Sequence, residues 1–178
     1  DVAKWSHTKC MFISDIRTLT YDSKKTSFED RKNNEDLVWK DMKLQQSWVE
    51  GIKPLHSLLK FRLPYAEEFE LEKSKYRDYL TGTVYIQPFC KSGSSETRLC
   101  VSDPTLIKQW DILSYERKLF YHNKNTRKQK FLHPLDPSRQ YILEDCNLLN
   151  DFDSVFFANI VKDYMVMIQS LEINVENM

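Results

Sequence analysis

The sequence predicts an α/β domain in which a mostly parallel, open sheet ends in an antiparallel hairpin. Short apolar segments alternate with longer amphipathic segments, and this alternation favours parallel strands joined by helical crossovers. Two further strand-like segments follow, separated by glycine and serine residues that suit a hairpin turn. Because sites in open α/β sheets form beyond the carboxyl ends of the strands, polar residues at those ends are the first functional candidates.

The first strand and the first crossover helix are predicted in the first third of the chain. Residues 9–14, KCMFIS, read as a short buried strand that ends at Asp15. The polar residues 16–34 are predicted to form a long loop. Residues 35–55 place their large apolar side chains on one face at helical spacing, so we predict an amphipathic helix there, with Pro54 near its end.

The second strand is predicted at residues 57–63, and it carries two cations inside an otherwise apolar run. These are Lys60 and Arg62, and the strand continues directly into Pro64. A strand that is buried on both faces would not hold such residues, so they need a separate explanation. The highly charged residues 66–79 that follow are predicted to form an exposed helix.

The hairpin is predicted from two apolar segments with a short polar turn between them. TVYIQPF at 83–89 forms one strand and ETRLCVS at 96–102 forms the other, while residues 92–95 form the turn. The acidic residue Glu96 then stands at the start of the second hairpin strand. A hairpin at this point introduces one antiparallel strand into the sheet.

Two helices are predicted in the remaining chain. Residues 105–123 form the first, and residues 152–171 form a helix that closes the domain against its core, capped by Asp151 or Asp153. Residues 115–130 contain six Lys or Arg and one acidic residue. This basic segment is either a solvated helix face or a ridge that contacts RNA phosphates.

Composition excludes several classes of protein. Of the 178 residues, 41% are hydrophobic and 29% charged, which is ordinary for a globular domain, and the formal net charge is zero. No apolar run approaches the roughly 18 residues of a membrane span. Three glycines cannot build a glycine-rich phosphate loop, and the four cysteines and four histidines lack metal-ligand spacing, so no metal site is predicted.

Asp15, Lys60 and Glu96 are the candidate catalytic residues, because each lies on or beside a predicted strand. For each residue alone, a solvated edge or a structural ion pair is the commoner arrangement. A lysine between two carboxylates in a cleft has another use, since such a group can accept a proton from a hydroxyl in a transition state. Both interpretations stay open at this point.

Tyr65 and Glu67 permit a second functional interpretation. An aromatic face can stack on a cationic purine, which combines base stacking with cation–π attraction. A nearby carboxylate can accept hydrogen bonds from the N–H edge of the base. Tyrosines at strand ends, however, more often pack at the rim of a core.

Four segments together resemble a known family. The chain is similar to the C-terminal half of the poxvirus-type mRNA cap-specific 2′-O-methyltransferases, which in poxviruses also serve as the regulatory subunit of poly(A) polymerase. The matching segments occur in the family's order over most of the chain: FISDIRT (12–18), LLKFRLPYAE (58–67), YIQPFCKSGSSETRL (85–99) and SYERKLFYHNK (114–124).

The resemblance implies a fold and a reaction. The fold would be the second half of a doubly wound methyltransferase (Rossmann-like) sheet with a terminal antiparallel hairpin and closing helices, so that residues 1–178 form the C-terminal part of a single methyltransferase domain. The reaction would move a methyl group from S-adenosyl-L-methionine to a ribose 2′-hydroxyl. The family uses a Lys–Asp–Lys–Glu tetrad, and the resemblance implies that Asp15, Lys60 and Glu96 are three of its members, with Asp15 also contacting the cofactor.

The resemblance also implies cap and RNA contacts. Tyr65 matches a stacking aromatic residue, Glu67 and Glu116 match the two acids that read the methylated guanine, and Arg98 matches an arginine beside the tetrad glutamate. Glu67 stands where the poxvirus enzyme has aspartate. The cofactor loop, the first tetrad lysine and the first stacking aromatic lie upstream in the family, so this chain is expected to be an excised or processed piece that is inactive alone.

The partners implied by the resemblance are capped mRNA and a poly(A) polymerase or other viral transcription subunit, with no membrane. The implied location is the viral factory in the host cytoplasm, or the virion. Two alternatives remain beside the enzyme. One is a degenerate methyltransferase that binds cap or RNA without catalysis, and the other is a protein–protein scaffold such as a polymerase accessory subunit.

Overall fold

The structure is a computed structural model that describes residues 2–6, 8–19, 27–65, 75–91, 93–129 and 137–176. The chain divides into two compact units, each with its own hydrophobic cluster. The first unit comprises Asp1–Gln87 and Ser94–Phe120, and the second comprises Pro88–Gly93 and Tyr121–Met178.

The first unit is a mixed α/β structure. Its four-stranded sheet has the order β1 (Met11–Ser14), β2 (His56–Phe61), β5 (Thr97–Val101) and β4 (Thr83–Ile86). Strands β1 and β2 are parallel, and β5 is antiparallel to both β2 and β4. The prediction of one sheet with a parallel first pair and an antiparallel last pair is confirmed. The predicted hairpin is wrong in its bounds, because β4 ends at Ile86 and not at residue 89, so its connection to β5 is longer than the predicted turn at 92–95. The first strand is also not buried as predicted, because Met11 and Ile13 are exposed. The helices and strands are α1 (Val2–Trp5), β1 (Met11–Ser14), α2 (Phe28–Ile52), β2 (His56–Phe61), β3 (Tyr76–Leu80), β4 (Thr83–Ile86), β5 (Thr97–Val101), β6 (Ile107–Asp111) and α3 (Ile112–Lys124).

Strand β2 explains how an apolar strand can carry a cation. Its alternate residues Ser57, Leu59 and Phe61 are buried, and Phe61 packs against the core rings of Trp110 and Tyr115 with centroid distances of 4.7 and 5.3 Å. Because successive side chains of a strand point to opposite faces, Lys60 lies on the other face of the sheet.

Helix α2 begins seven residues before its predicted start at 35. Ser27 is the N-cap: its hydroxyl accepts a hydrogen bond from the Asp30 amide, and the Asp30 carboxylate accepts one from the Ser27 amide. This reciprocal capping box satisfies two amides at the helix start. The predicted loop over 16–34 is therefore wrong at 28–34, and residues 20–26 lie outside the described residues.

Two predicted helices are wrong in part, because tertiary strand pairing overrides the local pattern. The prediction over 66–79 meets strand β3 at 76–79, while residues 66–74 lie outside the described residues. The prediction over 105–123 is wrong at 107–111, where β6 pairs antiparallel with β3, and only the part from Ile112 onward is helical. The pair is anchored by the buried Trp110, whose indole N–H donates to the Leu80 carbonyl at 3.3 Å.

The second unit contains α4 (Pro137–Asp145), α5 (Phe152–Glu176) and a short 3₁₀ turn, Thr126–Lys128. The helix predicted over 152–171 is confirmed, and Asp151 is its cap, because its carboxylate accepts from the Ser154 amide at 2.9 Å. Ala158 packs on α4. The helix was predicted to pack against a core, yet several of its other apolar residues are exposed. These exposed residues are Phe156, Ile160 and Tyr164.

The basic segment predicted at 115–130 is not a uniform ridge. Arg127 is buried in the second unit, where its guanidinium lies 3.3 Å from the Asp153 carboxylate and donates to the Cys90 carbonyl at 2.9 Å. This arginine therefore stabilises the unit and is withdrawn from phosphate contact. Within the described ranges, no helix is both long and apolar enough to cross a membrane.

Candidate active site

The ends of three strands bring the three predicted catalytic residues together. Asp15 follows β1, Lys60 lies near the end of β2, and Glu96 immediately precedes β5. The Lys60 Nζ lies 2.9 Å from Asp15 Oδ1 and 3.5 Å from Glu96 Oε2. In the sequence, Lys60 is 45 positions from Asp15 and 36 positions from Glu96. The sheet topology therefore brings these residues together.

Two arginines complete the cluster. Arg98 on β5 stands opposite Lys60 in the register and bridges both carboxylates, with Nη2 at 3.1 Å from Asp15 Oδ1 and Nη1 at 2.8 Å from Glu96 Oε1. Arg17 donates to Glu96 Oε2 at 2.6 Å. Three cations against two carboxylates leave a local charge of +1, which favours an anionic partner.

The cluster keeps both carboxylates ionised. The hydrogen bond from Lys60 is the largest influence on Asp15 and lowers its pKa. Burial opposes this, and the charges of Lys60, Arg98 and Arg17 lower the pKa further, so it lies below its usual value. For Glu96, burial is the largest influence and raises the pKa. The hydrogen bond from Arg98 and the charges of Lys60, Arg98 and Arg17 outweigh burial, so the pKa of Glu96 lies below its usual value.

The backbone at the end of β2 is held by side chains from neighbouring elements. Gln45 of α2, which is fully buried, donates its amide N–H to the Lys60 carbonyl at 3.0 Å. The Thr97 hydroxyl donates to the Phe61 carbonyl at 3.1 Å, and the Tyr115 hydroxyl lies 3.3 Å from the same oxygen. These side-chain donors satisfy the Lys60 and Phe61 carbonyls, and the bonds fix the backbone that carries Lys60.

A cavity of about 290 Å³ opens beside Lys60 and Glu96. Its volume is near the lower limit of roughly 300 Å³ for pockets that bind small ligands. The segment after β1 and the facing side of α2 supply most of its apolar wall: Ile16, Leu19, Val38 and Met42. The charged cluster therefore borders a partly apolar space, where electrostatic interactions are stronger than in bulk water.

Tyr65, the predicted stacking residue, lies in a second set of contacts just beyond β2. The Arg62 guanidinium lies 4.6 Å from the centre of the Tyr65 ring, and the Phe120 ring lies 6.0 Å away at an interplanar angle of 32°. The Tyr65 amide donates to Glu35 of α2 at 3.0 Å. A cavity of about 390 Å³ is lined by Tyr65 and Arg62 and also by Glu96, so it joins this set to the charged cluster.

Three further residues were predicted to contact the cap or the RNA: Glu67, Glu116 and Arg98. Glu67 lies outside the described residues. Glu116 lies on α3, one helical turn before the Phe120 that contacts Tyr65. Arg98 lies inside the charged cluster, as expected for a residue beside Glu96.

Sequence reasoning missed Arg17 and Glu35. Arg17 could have been noticed because it follows Asp15 by two positions at the same strand end. Glu35 gives no comparable signal, because it is simply the first residue of the amphipathic helix predicted over 35–55. Among the described residues, no group of three or more His, Cys, Asp or Glu side chains could hold a metal ion.

The fold and the cluster define an α/β protein with a lysine held between carboxylates at the carboxyl edge of its sheet. The model of the poly(A) polymerase regulatory subunit family matches residues 2–174, and the chain belongs to that family. A cap-specific mRNA (nucleoside-2′-O-)-methyltransferase of fowlpox virus (strain NVSL) is 31% identical over 141 residues, which are 75% of this chain. The proteins of the same name from myxoma virus strains Lausanne and Uriarra are each 29% identical over 130 residues, or 68% of the chain.

The resemblance to poxvirus cap-specific 2′-O-methyltransferases is confirmed by these comparisons. The matched regions make up 41% of the fowlpox protein and 34% of each myxoma protein, so this chain spans less than half the length of these relatives.

Proposed function

We propose that this chain forms part of a cap-specific mRNA 2′-O-methyltransferase, which methylates the ribose 2′-hydroxyl next to the cap. One observation carries the proposal: Lys60 is held by Asp15 and Glu96 at the carboxyl edge of the sheet, beside a cavity. Membership of the family and the printed names of the viral relatives support it.

Lys60 has the position required of a general base. The amine, which carries a proton in the +1 cluster, would first lose that proton and would then accept the proton of the 2′-hydroxyl. The ribose oxygen would bond to the methyl carbon in line as the bond from that carbon to the sulfonium sulfur breaks, which leaves a neutral thioether. Asp15 and Glu96 hold the amine at 2.9 and 3.5 Å, so the base is oriented before the reaction begins. Arg98, which bonds both carboxylates, fixes them relative to each other.

Asp15 fits a cationic cofactor. Its side chain is 61% exposed, and its lowered pKa keeps it anionic at neutral pH. The exposed part of this carboxylate would accept hydrogen bonds from the ammonium group of S-adenosyl-L-methionine, which supplies the methyl group when bound. The local charge of +1 around the cluster would attract the phosphates of the RNA substrate.

Tyr65 would hold the cap. Its ring borders the cavity that also reaches Glu96, so a purine stacked there would place the following ribose toward Lys60. The charge on a methylated guanine adds cation–π attraction to the stacking. Glu67 and Glu116 are proposed to accept hydrogen bonds from the N–H edge of the base.

We further propose that residues 1–178 are the C-terminal part of one doubly wound methyltransferase (Rossmann-like) domain. The mixed sheet suits that fold, and the viral relatives are more than twice as long as the matched region. Within the described residues, which include all three glycines, no glycine has a positive φ, so none forms a left-handed glycine turn of the kind that lets a backbone approach a ligand closely. The cofactor loop and the first tetrad lysine would come from the rest of the protein.

A second function is favoured by the family itself. Its description is that of a poly(A) polymerase regulatory subunit, so a polymerase subunit is the partner class we propose beside capped mRNA. Both roles would be exercised on viral transcripts in the host cytoplasm. In the alternative, the chain contributes cap or RNA binding to such a complex without catalysis.

Analysis of the reaction product tests the proposal. The full-length protein is incubated with radiolabelled S-adenosyl-L-methionine and RNA that carries a methylated guanosine cap, and the RNA is then digested to nucleosides and cap dinucleotides. We expect label on the 2′-oxygen of the first transcribed nucleotide, and far less label in uncapped RNA of the same sequence. Equal labelling of both RNAs would contradict cap specificity, and absence of label would favour the accessory role.

A further inference from the structure

Glu35 of α2 is a buried carboxylate that the proposed mechanism does not use. It is 5% exposed, and it accepts three hydrogen bonds from the turn that follows β2. Arg62 Nη1 donates to Oε2 at 2.9 Å and Arg62 Nη2 donates to Oε1 at 3.0 Å, so this pair is bidentate. The third donor is the backbone amide of Tyr65, at 3.0 Å from Oε2.

These hydrogen bonds hold both the backbone of Tyr65 and the arginine that packs over its ring. The hydrogen bond from the Tyr65 amide fixes the backbone just after Pro64, beyond the end of β2 at Phe61. The bidentate pair fixes the Arg62 guanidinium, which packs over the Tyr65 ring at 4.6 Å. One carboxylate therefore holds the main chain of Tyr65 and the cation beside its ring.

Removal of the Glu35 carboxylate would destabilise this arrangement. The Arg62 side chain is only 15% exposed, so removing its partner would leave a poorly hydrated cation without a counter-charge. Bidentate arginine–carboxylate pairs are directional, and a neutral amide in place of the carboxylate would oppose N–H groups to the guanidinium N–H groups.

We propose that Glu35 is a positioning residue for cap recognition, which acts through Arg62 and Tyr65 by holding the Tyr65 ring ready to stack on the cap guanine. The inference rests on the proposed cap-binding role of Tyr65. It adds a specificity-determining residue on α2, 27 positions before its partner arginine.

The test uses Glu35→Gln in the full-length protein, together with Tyr65→Ala and the double variant. Affinity for 7-methylguanosine triphosphate is measured by calorimetric titration. Stacking on an aromatic residue contributes about 1–3 kcal/mol, so Tyr65→Ala should weaken binding roughly 5- to 150-fold and Glu35→Gln about fivefold or more. Because Glu35 acts through Tyr65, the double variant should bind no more weakly than Tyr65→Ala alone.

Kinetics separate positioning from a general structural role. In Glu35→Gln, the KM for capped RNA should rise while kcat stays near the parent value, because the Lys60 cluster is unchanged. Glu35→Asp keeps the charge with a shorter reach and should restore part of the affinity. Tyr79→Phe is the matched stability control, since it removes a buried hydrogen bond to the Met42 carbonyl of the same helix and should leave the KM unchanged.

Additive losses in the double variant would overturn the inference, as would an equal rise in KM for Tyr79→Phe. Hydrogen exchange of the Tyr65 amide gives an answer that does not depend on the cap. Exchange should accelerate in Glu35→Gln, and unchanged exchange would show that Glu35 does not hold Tyr65. If exchange accelerates but Tyr65→Ala binds the cap normally, the proposed function of Tyr65 fails while the contact that positions it stands.

Discussion

At the residue scale, Lys60 shows how one charged side chain can belong to a strand that is otherwise part of the core. Alternation along β2 buries Leu59 and Phe61 on one face and turns Lys60 to the other. Two carboxylates from neighbouring strand ends then meet its amine. Repulsion between those carboxylates is offset by Arg98 and Arg17, so the cluster is stable as a unit and not as separate pairs.

The cluster makes stability depend on pH in a defined direction. The pKa of Glu96 is lower in the folded protein than its ordinary value of 4.5, and that of Asp15 is lower than its ordinary value of 3.8. Below those ordinary values the unfolded chain binds more protons than the folded one, so the free energy of unfolding falls as the pH drops through the folded pKa values. Urea unfolding from pH 6 downward should show this loss.

The Glu96→Gln variant isolates the contribution of one carboxylate. It removes a titrating group whose folded pKa is lowered, so the loss of unfolding free energy with acid should become smaller than in the parent. A parallel decline in parent and variant would mean that Glu96 has the same pKa in the folded and unfolded states.

Tyr65 gives a second prediction at the same scale. Tyr65→Ala should weaken binding of a methylated cap analogue by roughly 1–3 kcal/mol, the range for stacking of a base on an aromatic side chain. The loss for unmethylated guanosine triphosphate should be smaller, because that base lacks the positive charge. Titration calorimetry with both analogues measures the difference, and Tyr164→Ala on the exposed face of α5 is the control. Equal losses for both analogues would argue against a cation–π contribution.

The sequence could predict only part of the site. The sequence predicts the three candidate catalytic residues because they stand at predicted strand ends, and strand ends gather at one edge of an α/β sheet. These residues are Asp15, Lys60 and Glu96. The role of Glu35 could not be predicted, because its partner Arg62 is distant in sequence and the burial of Glu35 depends on how α2 packs. Charged residues on helices are mostly solvated, so nothing local marks the exception.

At the element scale, α2 connects the fold to the site. The helix supplies Glu35 to the Tyr65 turn and Gln45 to the Lys60 carbonyl. It also supplies Met42 to the core and to the wall of the cavity beside Lys60. A change in the orientation of this helix would therefore disturb both contacts together.

The N-cap of α2 can be tested by one substitution with a matched control. Ser27→Ala removes the capping box and should lower the free energy of unfolding by about 1 kcal/mol. Ser47→Ala makes the same chemical change inside the same helix, where alanine has the higher helix propensity, so it should be neutral or slightly stabilising. Urea unfolding of both variants measures the difference. An equal effect of the two substitutions would show that the cap contributes nothing.

The boundaries of helices and strands are harder to predict from this sequence than whether a segment is a helix or a strand. The polar residues 28–34 show little apolar periodicity, although Ser27 and Asp30 are the capping signal of a helix. Residues 107–111 looked helical because they precede a true helix, yet they pair with β3. A short segment of this kind acquires its structure from a distant strand, which local propensity does not report.

At the scale of the whole molecule, the described residues supply the proposed catalytic cluster but no glycine with a positive φ for a close approach to the cofactor. We therefore predict that this chain alone binds S-adenosyl-L-methionine weakly or not at all, and transfers no methyl group to capped RNA. Calorimetric titration and a transfer assay on the chain and on the full-length protein provide the comparison. Tight binding by the chain alone would show that its own residues form the cofactor site.

The most direct test of the account is the Lys60→Met variant of the full-length protein. It keeps an unbranched apolar stem, one atom shorter than lysine, and removes the amine that lies 2.9 Å from Asp15 and 3.5 Å from Glu96. Methyl transfer to capped RNA should be abolished while affinity for the cap analogue is unchanged, because in the proposed function Tyr65, and not Lys60, binds the cap. Lys40→Met, at an exposed position of α2, should leave both quantities as in the parent. Robust transfer by Lys60→Met would contradict the assignment of Lys60 as the base.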